Sequence, residues 1–102
     1  MRYQLVLQMP FATLTDYDDM IRFEDAVTRE LGALGTVDGH DAGSREMNVF
    51  LFTDDPAAAF DRIRPIAGAL GLLAKLVAAY RDIDSEEFVV VYPPGRTDFA
   101  VA

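Results

Sequence analysis

Residues 35–56, GTVDGHDAGSREMNVFLFTDDP, decide how the chain folds. They predict a strand from Thr36 to His40, a turn through Asp41, Gly43 and Ser44, and a second strand from Met47 to Thr53. Asp, Gly and Ser fill the connection because they tolerate tight-turn backbone and bond to their own main chain, so the two runs read as a hairpin. Asp54 or Asp55 then caps a helix with Pro56 near its first position, where the missing N–H of proline costs nothing.

Upstream, Tyr3, Leu5, Leu7 and Met9 alternate with Gln4, Val6 and Gln8, a period of two that predicts a strand with one buried face, ended by Pro10. Thr15 and Asp18 have the spacing of a capping box, and Asp16 adds negative charge at a helix N-terminus. From there Met20, Phe23, Val27, Leu31 and Leu34 form one apolar stripe. Asp18 with Arg22 and Asp25 with Arg29 are acid-first pairs four residues apart on the solvated side, and Gly32 or Gly35 supplies the C-terminal cap.

Downstream, Phe60, Ile63, Ala67 and Leu70 give the second helix its stripe, while Pro65 predicts a kink or an early end. Leu72 to Tyr80 fits a continued helix or a strand. Gly71 and the acidic turn at Asp84 to Glu87 favour a strand from about Lys75 to Asp82, followed by one from Phe88 to Tyr92. Pro93, Pro94 and Gly95 stop the sheet, which makes residues 1–95 one α+β domain and residues 96–102 a C-terminal arm, loosely held or docked on a neighbour.

The first six elements, strand-helix-strand-strand-helix-strand, resemble the ferredoxin-like plait, here with an extra C-terminal strand. That resemblance implies an antiparallel sheet with two helices on one face and the other face open. The strand from Met47 carries Val49 and Leu51 on one side but Phe50 and Phe52, beside Asn48, on the other, and Phe88 to Tyr92 is apolar on both sides. An exposed pair of Phe side chains forgoes about 1.5 to 3 kcal/mol each, so a cover is expected: a second copy, the arm with Phe99 and Val101, or a ligand. Similarity to dimeric α+β barrels implies a homodimer joined sheet to sheet.

Composition narrows the function. The 102 residues carry 17 acidic and 9 basic side chains, a formal charge of −8, with Lys75 the only lysine. Phosphate backbones and anionic membranes call for clustered cations, so nucleic acid and membrane surfaces are not expected partners, and a protein with a basic surface is. The absence of cysteine rules out disulfides, thiolate zinc sites and cysteine nucleophiles. Met1 to Met9 lacks the apolar length of a signal peptide, no run is long enough to span a bilayer, and a cytoplasmic location follows.

The candidate chemistry gathers at the only histidine, His40. With an odd hairpin loop and no bulge, Thr36, Asp38 and His40 share a face, about 7 Å apart at successive steps, with Glu46, Asn48 and Phe50. His40 then serves as acid or base oriented by Asp38. The alternative makes Asp38, His40 and Asp41 the polar end of a hairpin. No spacing matches a metal-ligand motif, a serine elbow or a phosphate loop, so neither metal nor cofactor is expected. Asn48, Phe50 and Phe52 are candidate binding residues on the open face, with Tyr92 and Arg81. Adjacent strand residues face opposite ways, so Tyr80 or Arg81 joins that face, but not both. Binding or self-association through the open sheet face is the first functional reading, and a small cofactor-free enzyme using His40 the second.

Overall fold

β1 (Tyr3–Pro10) has a strand on either side and is buried on both faces from Leu5 to Met9. In a computed structural model describing residues 1–101, it is followed by α1 (Leu14–Glu30), a 3-10 turn (Gly32–Leu34), β2 (Thr36–Ala42) and β3 (Glu46–Thr53), then α2 (Pro56–Ala69), β4 (Val77–Asp82) and β5 (Val89–Tyr92). The five strands form one antiparallel sheet in the order β2-β3-β1-β4-β5. α1 leads from β1 to β2 with β3 between them, and α2 leads from β3 to β4 with β1 between them. The architecture is α+β, and of the segment that fitted either helix or strand, residues 77–80 belong to β4 while residues 72–76 form the turn before it.

The inward stripes behave as their periods require. Met20, Phe23 and Val27 of α1 and Ala59, Phe60, Ile63 and Ala67 of α2 pack on Leu5, Leu7 and Met9 of β1 and Met47, Val49 and Leu51 of β3. Both helices therefore cover the same face. Val6, Val77 and Ala79 point the other way, stand outside that cluster and are still buried. Their cover is the chain beyond β5: the Gln8 amide donates to the Ala100 carbonyl at 3.0 Å, and the Phe99 ring meets Phe88 edge-on at 4.9 Å. The arm expected to be loose or docked on a neighbour lies on its own sheet.

Three local expectations change. The capping box is Thr13 with Asp16, two residues before the Thr15–Asp18 frame of identical spacing: the Asp16 amide donates to the Thr13 hydroxyl at 3.2 Å, and the Ala12 and Thr13 amides donate to the Asp16 carboxylate at 2.8 and 3.0 Å. The Phe11 amide is tied to the Arg45 carbonyl at 2.9 Å, which brings the chain to Thr13 in the extended form an N-cap needs. On the solvated side Arg22 pairs with Asp19 and not Asp18, and the Asp25–Arg29 pair does not form. Of the kink or early end expected at Pro65, the early end does not occur: α2 continues to Ala69. The proline deprives only the Asp61 carbonyl of its bond, and both residues are exposed, so water can take its place.

Two glycines shape the passage from α1 to β2. Gly32, at φ +58°, turns the chain out of α1 after the Leu31 amide has bonded the Val27 carbonyl at 2.9 Å. Gly35 is extended, and a Cβ there would stand 2.6 Å from the Phe52 carbonyl oxygen. Gly35→Ala is expected to lower unfolding free energy by about 1–3 kcal/mol in denaturant titration through this overlap with rigid backbone. The two amides that Asp16 accepts hold its carboxyl below the usual value, so the stability it supplies is present above that value and lost as pH falls through the lowered one. Asp16→Asn is expected to flatten the acid limb of the stability–pH profile below about pH 4.

Candidate functional site

His40 reaches its position through the register of the hairpin. Ala42 pairs with Met47, Asp41 with Asn48 and His40 with Val49, so the connection has even parity and His40 shares the face of Val49, toward the helices. Between Val37 and Gly39 the register shifts, and Asp38 is the extra residue of a bulge. The odd, bulge-free hairpin that would set His40 beside Asp38, Glu46, Asn48 and Phe50 is not formed.

The carboxylate at His40 comes from α1. Nδ1 stands 2.9 and 3.1 Å from the two oxygens of Glu24, and the Tyr17 ring meets the imidazole edge-on at 6.1 Å, with Phe11 behind Tyr17 at 6.5 Å. The His40 side chain keeps 30% of its surface exposed and that of Glu24 14%. Asp38 is exposed and its side chain makes no bond to a described residue. Glu24 thus occupies the orienting place expected of Asp38. Nothing in the sequence pairs Glu24 with His40 except the topology that lays α1 against β2.

The open face is built around a hydrogen-bonded chain of side chains. Asn48, 2% exposed, donates through Nδ2 to the Asp41 carboxylate at 3.0 Å and accepts at Oδ1 from Gln8 Nε2 at 3.1 Å. Gln8 also donates to the Ala100 carbonyl, so the chain runs from β2 across β3 and β1 to the arm. No buried side-chain nitrogen or oxygen among the described residues lacks a partner. Asn48 is therefore a bonded structural group, and Gln8 is its unforeseen counterpart. The signal for Gln8 was an amide in a strand whose apolar neighbours, Val6 and Leu7, face opposite ways.

Phe50 and Phe52 lie on the Asn48 face and are half-buried. Arg81 joins them opposite Gln4, and Tyr80 takes the helix face, where its ring meets Tyr3 at 5.6 Å. The Arg81 guanidinium is consumed by the Gln4 side-chain oxygen at 2.9 Å and the carbonyls of Asp82, Ile83 and Ser85 at 3.0–3.4 Å, so it holds a loop. Tyr92 lies on the opposite face, packed on Phe60 at 5.6 Å with the Arg64 guanidinium over its ring at 5.2 Å. The candidate binding set therefore reduces to Phe50 and Phe52 as side chains with surface to offer.

Among the described residues no group of three His, Cys, Asp or Glu is placed to hold a metal, and no helix is long and apolar enough to cross a membrane. No family model, curated protein or solved structure matches the chain.

Gln8→Leu removes the donor shared by Asn48 and Ala100. It is expected to cost about 1–3 kcal/mol, the range for a buried acceptor left unpaired, and to speed tryptic cleavage at Arg96 as the arm loosens. An unchanged cleavage rate would show that the arm is held by other contacts.

Proposed function

We propose that this chain is a cytoplasmic binding domain of the ferredoxin-like plait type, with β5 appended beside β4, and that its sheet face takes a protein partner with a basic surface. The observation that carries the reading is the pair Phe50 and Phe52, which keeps apolar surface in reach of solvent beside a displaceable arm. The arm follows Pro93, Pro94 and Gly95 and is attached through the Gln8–Ala100 bond and the Phe88–Phe99 ring contact. A partner that displaces it gains the surface of Val6 and Ala79 as well. The charge of −8 favours encounter with a basic protein, which weakens as salt rises.

The enzyme reading rests on the His40–Glu24 contact, a carboxylate-oriented imidazole. It is the weaker of the two because the space between helices and sheet is filled by Leu5, Leu7, Phe23, Val27, Val49 and Ile63, all 0% exposed.

Affinity purification from the producing cells, with wild type, Phe50→Asp and a chain ending at Gly95, tests the binding reading. The expected outcome is a basic partner retained by wild type, enriched on the shortened chain, released by salt and lost with Phe50→Asp. A partner set indifferent to both changes would refute it.

A further inference from the structure

One opening lies away from both the sheet face and His40. α1 and α2 run antiparallel, and between their outer sides is a cleft of about 590 Å³. Its floor is Ala26 of α1 with Pro65 and Ile66 of α2, and Leu70, 38% exposed, stands at one end. Arg62 is committed, donating to the Glu30 carbonyl at 2.9 Å, and Arg22 is paired with Asp19. Asp25 and Arg29 are different. They line the same cleft one turn apart, both exposed, beside the exposed Glu30 carboxylate, and neither side chain has a hydrogen bond or ion pair to a described residue.

We propose that a second copy of this chain seats on this cleft, with the two α1 helices antiparallel about a two-fold axis level with the middle of the Asp25–Arg29 turn, so that Asp25 of each protomer meets Arg29 of the other. The charge pattern selects the occupant. An anionic ligand would be repelled by Asp25 and a cationic one by Arg29, whereas an isologous contact presents each charge with its opposite, twice. The axis at the middle of the Asp25–Arg29 turn brings the small Ala26 side chains toward each other, where helices approach most easily, and shields Ile66 and Leu70 from water. The partner's α1 supplies Arg29 with the counter-charge that its own helix leaves unengaged. The sheet face remains free, so this dimer is independent of the protein partner proposed above.

Sedimentation of the full chain over a range of concentrations tests it, with Asp25→Arg, Arg29→Asp and the double reversal, and with circular dichroism to confirm that each variant is folded. The wild type is expected to dimerise. Either single reversal places like charges opposite each other and is expected to weaken association about tenfold or more, and the double reversal to restore it. Mixing the two single variants is the sharper readout: one carries two positive groups at the contact and the other two negative, so the mixture is expected to form a heterodimer that neither forms alone. A wild type that stays monomeric at every concentration overturns the proposal. So does a dimer indifferent to the reversals, or one that Phe50→Asp abolishes.

Discussion

A central strand buried on both faces is the constraint from which the rest follows. Leu5, Leu7 and Met9 need one cover and Val6 with Gln8 need another, since β1 is flanked by β3 and β4 and has no edge in water. Two amphipathic helices answer the first demand. The second is met by a few residues after β5, a thin layer for a surface that includes two phenylalanines. Gln8 makes that layer specific: a buried amide must find partners, and Asn48 with the Ala100 carbonyl satisfies both of its hydrogens.

Much of this was legible in the residues. The period of two in β1, the stripe from Met20 to Val27 and a helix start at Pro56 after Asp54 or Asp55 each follow from a period or a cap, and each element formed, although β1 is buried on both faces and not on one. The two-sided apolar pattern of β3 called for a cover; the arm, one of the three offered, is tied to that face at Gln8, while Phe50 and Phe52 stay half-buried. What could not be read was parity. One residue more or less in a turn, or one in a bulge, turns every side chain beyond it to the other face. The hairpin differs from the simplest pairing in both respects, so His40 points at α1 while Thr36, beyond the bulge, pairs with Phe52.

The same limit governed the candidate site. Glu24 and His40 are 16 residues apart, and their contact depends on how α1 crosses β2, which no local pattern encodes. Tyr92 was misplaced through another irregularity, a register shift between Ala78 and Ala79 where β4 meets β5. Thr13 and Thr15 offered identical spacings for the cap, and a backbone bond from Phe11 to the hairpin turn, a tertiary contact, chose between them. Asp25 and Arg29 have the spacing of a helix-stabilising pair, but such pairs contribute only tenths of a kcal/mol and give way easily to other uses of the same charges.

The bulge at Asp38 also bears on how molecules of this chain avoid one another. β2 is an outer strand, and an even outer strand is a template on which a foreign strand can zip. Asp38 interrupts the ladder there, and Asp41 adds charge. At the opposite margin β5 is only four residues long and runs into Pro93 and Pro94, which have no amide hydrogen to offer. Both margins are thus poor nuclei for fibril growth, and the chain can carry phenylalanines on a sheet face without inviting open-ended stacking through its edges.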